Sequence, residues 1–469
     1  MTEEIEEFDY VVVGSSLTNG LLSNVLGWKG FRVLSIDENS YYGDYTASLS
    51  LDQVEQKYSE FEIEYKHDFI EQNKPKFGLD LIPSYILCNS KMIDYISNFN
   101  IYRYIEVTKL QDFYTYNHKQ SFDKLKTTKE DIFTDTSMSP ITKRTIMKCI
   151  KFLIRDDTVN DPDMVNTKES DEIWKEYKEK PLIELFQTKF KKLPENLLNE
   201  FVYTICNSFD ITKLSTSDAS AKVTKFFKSY NIHGKFPALL TKYSGLVEII
   251  QGIYRSAALI NNILRLETSI ESYDAESGII KLSSGESYRI KEKIVLSHHQ
   301  KKSLNQLNVT INKTRDVYRG VVFVKGAVKD FDMSGSNGCV VSFPPESSIN
   351  GDYKLKSAVQ LMILSSSLER CIKDYETVQI TALDEEDMLQ IKKYLDKNND
   401  VGLMFEYTQE ILDTTMYDDK VVVMSDSAEP CSFDIDHCLN LAMNTYDVLM
   451  NNNDNGGDFM SVNLPSNDD

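Results

Sequence analysis

Apolar residues near the start of the chain form two strand-like runs separated by one helical pattern. Residues 8–13 (FDYVVV) and 31–36 (FRVLSI) are short, continuous apolar runs rich in β-branched side chains. Between these runs, leucine and valine recur with the spacing of an α-helix. The first run ends at Gly14 and the second at Asp37. This order is typical of a βαβ unit in a buried parallel sheet: a strand, a tight turn, a helix and a second strand that ends at an acidic residue.

Between residues 128 and 210 the pattern is helical and glycine is absent. The spacing of the apolar residues predicts helices over residues 140–155, 181–190 and 194–208. A further amphipathic helix is predicted over residues 246–260. The glycine-free stretch is therefore a candidate for a small domain inserted into a larger one.

These patterns predict an α/β protein whose large, discontinuous domain has a βαβ core and carries an inserted small helical domain. The large domain would comprise residues 1–125 and 216–450, and the helical insert residues 126–215. Residues 451–469 are rich in Asn and Asp and are predicted to be disordered. A chain of 469 residues predicts two domains or more, because a single hydrophobic core usually stops growing near ~250–300 residues.

The charge and cysteine content narrow the class of protein. The 52 Lys and Arg against 72 Asp and Glu give a formal net charge of 52 − 72 = −20. This charge argues against a nucleic-acid binder and against attachment to anionic lipid by charge alone. The sequence has no run of ~18 apolar residues that would predict a transmembrane helix. Because the seven cysteines form no CxxC pair and the N-terminus is acidic, we expect a reduced, cytoplasmic protein without a structural zinc site.

The turn after the first strand stands where a dinucleotide-binding loop would be. Such a loop reads G-x-G-x-x-G, and its glycines make the turn, admit the pyrophosphate and let the helix pack. Here the three positions are Gly14, Ser16 and Asn19, and Asp37 follows Gly14 by 37 − 14 = 23 residues, near the position of a ribose-binding acid. Either the turn is a degenerate flavin or nicotinamide site, or the βαβ unit serves only the fold. We favour the second interpretation and expect no cofactor, FAD included.

Three short motifs follow one another along the chain. The first is SYYGDYTASL at residues 40–49. The second is DLIP at residues 80–83, followed by YRYI at residues 102–105, and the third is EIIQGIYR at residues 248–255. Each motif alone is weak, but in this order they resemble the superfamily of Rab GDP-dissociation inhibitors and Rab escort proteins. The resemblance runs sparsely over most of the chain and implies a flavoprotein-like (GDI-like) sheet in the large domain.

The motifs depart from the family pattern at a few positions. The family's YYGG-like motif has Asp44 here in place of its second glycine, and the Gly-Gly pair after the third motif falls on Asn261-Asn262. Because of these departures, a further interpretation is a scaffold protein that retains the fold but has lost Rab binding. The third motif keeps four positions of the family's GELPQGFAR helix, Glu248, Gln251, Gly252 and Arg255.

Two other segments resemble the escort branch of the superfamily. Residues 129–153 contain an acid-aliphatic-Phe run, a Ser-Met-Ser-Pro turn, a Lys-Arg pair and a helix with Lys, Phe and Leu, and residues 421–425 (VVVMS) resemble that branch's last strand. The length is closer to the inhibitors, because escorts usually carry extra insertions. We favour the escort branch.

The escort resemblance implies a non-catalytic accessory of Rab geranylgeranyl transferase. Such a protein binds GDP-loaded Rab GTPases, presents them to the transferase and delivers the prenylated Rab to membranes, with transient membrane contact. One alternative is a Rab GDP-dissociation inhibitor that recycles prenylated Rabs. A less favoured alternative is a flavin-dependent oxidoreductase. Apart from the motifs above, we find no catalytic or metal-binding pattern.

The resemblance also implies which residues bind the GTPase. Tyr42, Glu248 and Arg255 would lie on the Rab-binding face. Since Glu248 and Arg255 are seven residues apart, two helical turns place both on one face, although from spacing alone they could simply solvate it. Tyr42 could equally anchor its loop on the sheet. A mobile loop that contacts the Rab C-terminal tail would include Gly234, Lys235 and Pro237.

A geranylgeranyl chain needs an apolar cavity between helices, and the family holds it in the helical insert. The same spacing fits an ordinary helix-bundle core equally well. The insert is also where escorts dock the transferase, for which Phe201 and Tyr203 are candidates from their helical position alone. The candidate lining residues are Ile146, Ile150, Leu153, Leu197, Phe201, Val202 and Ile205.

Overall fold

The computed structural model contains two large sheets, a smaller sheet and a helical layer. The motif residues Ser137, Asn261 and Ser425 lie outside the described residues. Among the described residues, no helix combines the length and the apolar character needed to cross a bilayer. The structure describes residues 5–57, 63–117, 119–126, 129–136, 138–155, 168–260, 262–309, 313–331, 333, 336–351, 353–411, 416–417, 420–424, 431–450 and 458–461.

The first sheet contains the predicted βαβ unit. The strand Glu7–Val13 leads into the helix Leu17–Trp28, and the strand Val33–Ile36 returns parallel to the first strand, with Tyr10 opposite Val33. The predicted unit is therefore confirmed. Both strands are buried, which explains their continuous apolar runs. The strand Val421–Met424 pairs with the end of Ser287–Ser297, and Met416–Tyr417 pairs with Val421–Met424. In order across the sheet the other strands are Ile263–Arg265, Val33–Ile36, Glu7–Val13, Ser287–Ser297, Ile279–Leu282 and Ile270–Asp274.

The second large sheet is mostly antiparallel, and the helix Glu385–Asn398 packs on it. A smaller antiparallel sheet joins Ile86–Leu87, Ala238–Thr241 and Val107–Leu110. Two short pairs complete the strands: Ser48–Ser50 with Gly78–Asp80, and Ser348–Ile349 with Tyr353–Lys354. The second large sheet runs in the order Glu64–Tyr65, Val401–Ile411, Arg315–Lys325, Tyr375–Ala382, Val359–Leu364, Gly338–Phe343, Asp112–Tyr116 and Phe122–Lys124.

The helical layer corresponds to the predicted insert and shares its core with the second sheet. Phe113, Val340 and Met362 of that sheet belong to the same buried cluster as the helices' side chains. The helix Thr216–Lys228 also joins this cluster, so the layer extends beyond the predicted boundary at residue 215. Its elements are Lys129–Thr134, Pro140–Leu153, Lys168–Tyr177, Leu182–Lys189, Glu195–Asn199, the π-helix Glu200–Ile205 and Thr216–Lys228.

The helix Leu17–Trp28 packs between two other helices, Val247–Ala258 and Asp436–Met450. All of its residues except Trp28 are buried, so it fixes both neighbours relative to the first sheet. The other helices of the described chain are Leu51–Lys57, Asp68–Glu71, Lys91–Asn98 and Lys301–Gln306, with short 3₁₀ turns at Asp44–Thr46, Lys74–Lys76, Ile101–Tyr104 and Ser366–Leu368.

Part of the predicted disordered tail is packed on the core. Phe459 is buried, and its ring lies edge-on to Tyr446 with the centroids 5.4 Å apart. The ammonium group of Lys29 donates to the carbonyls of Asp458 and Ser461, each at 2.7 Å. The prediction of disorder is therefore wrong for residues 458–461, where one aromatic side chain outweighs the polar composition. Residues 451–457 and 462–469 lie outside the described residues.

Candidate functional site

The turn after the first strand is held by its own side chains. Asp37 accepts hydrogen bonds from the Ser15 amide at 2.7 Å and the Ser15 hydroxyl at 2.5 Å on one carboxylate oxygen. Its other oxygen accepts from the Asn39 amide at 2.8 Å and from Gln300 Nε2 at 3.1 Å. The Gly43 amide in turn donates to the Ser15 hydroxyl at 2.9 Å. The acid that would hold a ribose is therefore engaged within the chain, and Ser15, which donates to it, ties residue 43 to the turn.

Asp44 lies over the same turn. One of its carboxyl oxygens is 3.2 Å from where a Cβ on Gly14 would stand, and it accepts from the Ser297 hydroxyl at 2.9 Å. Burial, and secondarily the charge of Asp37, raise the pKa of Asp44 to about 7. A pyrophosphate on this turn would meet a carboxyl group. The residues present therefore do not fit a dinucleotide.

The helix N-terminus that would face such a phosphate is also engaged within the chain. The Leu17 amide donates to the Thr46 hydroxyl at 2.9 Å, and the Asn19 amide donates to the Ser16 hydroxyl at 3.3 Å. These amides are the groups that would otherwise bind an anion. Ser16 therefore acts as a helix cap in the position where a dinucleotide loop has its second glycine.

The three predicted GTPase-binding residues line one cleft, which we call the Tyr42 cleft. It has a volume of about 510 Å³. A second cavity, of about 520 Å³, shares Tyr42 and Gln251 with it and is also lined by Tyr243 and Arg370. The shared face thus extends on both sides of Tyr42. The Tyr42 cleft is lined by Ser35, Tyr42, Tyr104, Glu248, Gln251, Gly252, Tyr254, Arg255, Ala257, Ala258, Asn262, Ile263 and Leu264.

The helix Val247–Ala258 carries one wall of the cleft. Ile249, Ile250 and Ile253 are fully buried in the core shared with the helix Leu17–Trp28. The opposite face bears Glu248, Gln251 and Arg255, spaced by three and four residues. Amphipathic spacing therefore places these three polar side chains in a row over a rigid element.

Tyr42 reaches the cleft from a turn that requires glycine. Gly43 has φ of 107°, and a Cβ there would stand 2.7 Å from the Cα of Ala47. The Tyr42 ring lies 5.9 Å from the ring of Tyr254, centroid to centroid. Tyr42 is half-buried, so it both anchors its loop and presents part of its ring in the cleft.

Two charged side chains of the cleft have defined partners. Glu248 accepts from the Ser244 amide at 2.8 Å, and burial raises the pKa of its carboxyl group above the ordinary value. The guanidinium of Arg255 lies 4.9 Å from the ring centroid of Tyr104, and both side chains are exposed. Tyr104 belongs to the YRYI motif, but sequence reasoning gave it no role. The sequence could not predict its contact with Arg255, because the two residues lie 255 − 104 = 151 positions apart.

The predicted mobile loop has exposed and buried parts. Lys235 is exposed and Gly234 is half-buried, whereas Pro237 is buried and its carbonyl accepts from the Cys88 amide at 2.8 Å. Ile232 in the same loop is 47 % exposed. Lys235 and Ile232 are thus among the side chains that this loop exposes to solvent, together with Asn231 and His233.

The seven candidate lipid-lining residues are packed in two clusters of the helical layer. Ile146 and Leu197 belong to a small cluster, and Ile150 packs against both clusters. The remaining four lie in the large cluster shared with the second sheet: Leu153, Phe201, Val202 and Ile205.

The two residues suggested for transferase docking are not available on the surface. Phe201 and Tyr203 are each 4 % exposed, so that interpretation is wrong for this structure. Both lie in the π-helix Glu200–Ile205, all of whose residues are buried. On the same helical layer, Phe133 and Ile141 are 60 % and 59 % exposed.

Solved structures identify the fold. The Rab GDI of Plasmodium falciparum matches with a TM-score of 0.76 and 18 % identity, over 96 % of this chain and 99 % of that one. An oxidoreductase from Methanosarcina mazei matches with a TM-score of 0.58 and 10 % identity, over 93 % of this chain and 99 % of that one. The molecule thus has the α/β architecture of Rab GDI, which is related to that of oxidoreductases.

The family follows from the sequence. The family model described as GDP dissociation inhibitor matches residues 2–444. The chain belongs to the GDP dissociation inhibitor family.

Individual relatives come from both branches. A "Rab proteins geranylgeranyltransferase component A" of Candida albicans is 28 % identical over 88 % of this chain and 65 % of its own length. The protein of the same name from Saccharomyces cerevisiae is 28 % identical over 78 % of this chain and 60 % of its own length. A "Rab GDP dissociation inhibitor beta" of Canis lupus familiaris is 22 % identical over 77 % of this chain and 76 % of its own length. The chain therefore spans less than two thirds of the component A relatives that it matches.

Proposed function

We propose that this chain acts as a Rab escort protein, which binds GDP-loaded Rab GTPases, presents them to Rab geranylgeranyl transferase and delivers the prenylated product to membranes. The observation that carries the proposal is the Tyr42 cleft. Three residues from two distant motifs, Tyr42, Glu248 and Arg255, converge there on one exposed face. The names of the two component A relatives support the escort branch.

The cleft has the chemistry of a protein-binding surface. Tyrosine gives a rigid amphipathic contact area, and arginine donates bidentate hydrogen bonds to carboxylates. Arg255, held against the ring of Tyr104, is pre-oriented at little further loss of side-chain entropy. Such aromatic and arginine anchors usually dominate the binding energy of an interface.

The proposal needs no bond chemistry by this chain and no dinucleotide. Asp44 over Gly14 and the internal partners of Asp37 support a turn without FAD. The role is binding, orientation and lipid shielding in the cytoplasm, with transient membrane contact. The loop with Gly234, Lys235 and Pro237 would receive the Rab tail, with Lys235 as its exposed member.

The lipid would enter the helical layer. The seven residues from Ile146 to Ile205 named above form an apolar interior, and a geranylgeranyl chain would separate the helices that carry them. The transferase would dock on the outside of the same layer. Phe133 and Ile141 are large apolar side chains exposed there, and they are the candidates for that contact.

A Rab GDP-dissociation inhibitor remains the second candidate. The chain spans 76 % of the canine inhibitor but only 65 % of the Candida component A. An inhibitor would bind prenylated Rab without supporting prenylation. The two functions therefore share the Tyr42 cleft and differ in transferase docking.

Reconstituted prenylation tests the proposal. The purified chain is mixed with unprenylated Rab-GDP, Rab geranylgeranyl transferase and geranylgeranyl diphosphate. Transfer that depends on this chain, and that Arg255→Ala weakens about tenfold, supports an escort. The matched control is Arg289→Ala, which removes an exposed arginine from the first sheet and should leave transfer unchanged. Extraction of prenylated Rab without transfer would instead indicate an inhibitor, and failure of both would refute Rab binding.

A further inference from the structure

A buried ion pair lies next to the start of the helix Val247–Ala258. Arg370 donates to one carboxylate oxygen of Asp80 at 2.6 Å, and the two side chains are 4 % and 1 % exposed. The same guanidinium donates to the carbonyl of Thr241 at 2.5 Å and to its hydroxyl at 2.9 Å. Arg370 therefore joins Asp80 to the end of the strand Ala238–Thr241.

The other carboxylate oxygen of Asp80 holds the helix itself. It accepts from the Leu246 amide at 3.0 Å and also from the Ser48 hydroxyl. The Ser48 hydroxyl in turn accepts from the Val247 amide at 3.1 Å. The first amides of a helix have no acceptor within the helix. Here Asp80 and Ser48 supply that acceptor at two successive residues.

The backbone approaches this carboxylate closely. Gly245, just before the helix, has φ of +73°, and a Cβ there would stand 2.2 Å from the Asp80 carboxylate. In addition, Gln379 Nε2 of the second sheet donates to the Asp80 carbonyl at 2.6 Å. Four segments distant in sequence thus meet at Asp80.

A gain in the stability of the fold does not by itself explain a buried ion pair. Replacing a buried ion pair by apolar side chains is often neutral or stabilising, because both charges lose their hydration. What the pair adds is a unique position for the groups that it joins. Within nine residues of Leu246 the helix presents Glu248, Gln251 and Arg255 to the Tyr42 cleft. A slip of one residue would rotate them by about 100° and shift them by about 1.5 Å.

We propose that Asp80, Ser48 and Arg370 are positioning residues for GTPase binding, which fix the first turn of the helix Val247–Ala258 and so align its exposed face. The identity of the bound partner rests on the function proposed above. The alignment itself is a property of the free chain.

The mildest test is Ser48→Ala, which removes the acceptor of the Val247 amide and leaves the ion pair in place. In the free chain, hydrogen exchange at the Leu246 and Val247 amides should accelerate about tenfold. In the prenylation assay, the KM for Rab should rise about three- to tenfold with kcat at saturating Rab unchanged. Loss of folded protein would instead lower the apparent kcat and leave KM unchanged.

Ser90→Ala is the matched control. The Ser90 hydroxyl also accepts from an early helix amide, that of Met92 at 3.0 Å, and it also donates to a buried carboxylate, that of Asp436. Its helix, Lys91–Asn98, does not carry the residues of the Tyr42 cleft. The Ser90 variant should therefore leave the KM for Rab unchanged.

Arg370→Gln tests the ion pair, with Arg319→Gln as its control. Arg319 is likewise buried, bonded to Gln409 and Thr381 in the second sheet. Arg370→Gln should raise KM at least as much as Ser48→Ala, and Arg319→Gln should not. The positioning role is refuted if Ser48→Ala changes neither exchange nor KM, or if both arginine variants raise KM equally. If the parent chain binds no Rab, the proposed function fails, while amide exchange still decides the positioning role.

Discussion

Asn in place of Asp44 should stabilise the protein more at pH 8 than at pH 5. Asp44 is buried against Asp37, and Lys57, the Ser297 hydroxyl and Gln300 offset this only in part, so its pKa is raised from 3.8 to about 7. The native state therefore holds a proton that the unfolded chain releases above pH ~4. The free energy of unfolding falls as the pH rises from about 4 to about 7, and it is flat above that.

The size of the effect follows from the two pKa values. The interval from 3.8 to about 7 corresponds to ~4 kcal/mol lost between acid and neutral pH. Over the accessible interval from pH 5 to pH 8, only the part up to about pH 7 counts, which is ~3 kcal/mol. Asp44→Asn keeps an acceptor for Ser297 and cannot ionise, so its unfolding free energy lacks this slope.

Urea unfolding of both proteins at pH 5 and pH 8 measures the difference. Asp44→Asn should gain ~3 kcal/mol more over the parent at pH 8 than at pH 5. Asp274→Asn serves as the control, because the Ser277 hydroxyl lowers the pKa of that exposed carboxyl group and it stays ionised across the interval. An equal gain at both pH values, or a loss at pH 8, would show that Asp44 is ionised in the folded protein and that the reasoning is wrong.

Three other substitutions have defined outcomes. Burial, and then the charge of Asp123, raise the pKa of Glu200 to about 8, so Glu200→Gln should also remove a loss of stability between pH 5 and pH 8, measured by the same unfolding series. Tyr104→Ala should weaken binding of fluorescent GDP-loaded Rab about five- to thirtyfold, because Arg255 loses its stacking partner, while Tyr104→Phe stays within about twofold; equal effects of both would contradict a role for the ring. Phe459→Ala should lower the free energy of unfolding by ~3 kcal/mol in chemical denaturation, and no change would mean that residues 458–461 do not contribute to the core.

Local patterns were sufficient for the βαβ unit and for the helix Val247–Ala258. The strands of the unit are continuous apolar runs and the helix has uninterrupted periodicity. Of the positions that match the family, Glu248, Gln251 and Arg255 lie on the polar face of the helix, whereas Gly252 is buried. Periodicity failed at Glu200–Ile205, because all six residues of this π-helix are buried, so no exposed face follows from their spacing. It failed again at Phe459, where one aromatic residue in a polar segment carries the packing.

The site was predictable only where its residues share an element or a motif. Glu248 and Arg255 lie on one helix, so their common face follows from spacing. The contact of Arg255 with Tyr104 joins a helix to a 3₁₀ turn far away in the sequence. The ties of Asp80 to Ser48 and Arg370 depend in the same way on tertiary structure, which no local pattern encodes.

The turn after the first strand is stabilised by side chains of the same chain, which occupy the place where a cofactor would bind. A protein that binds a cofactor gains stability that grows with the logarithm of the cofactor concentration, so its binding loops loosen when the supply falls. Here the partners of Asp37 and Asp44 are part of the same chain. Their contribution comes from the fold itself, and the Gly43 amide that donates to the Ser15 hydroxyl ties the loop of Tyr42 to this network.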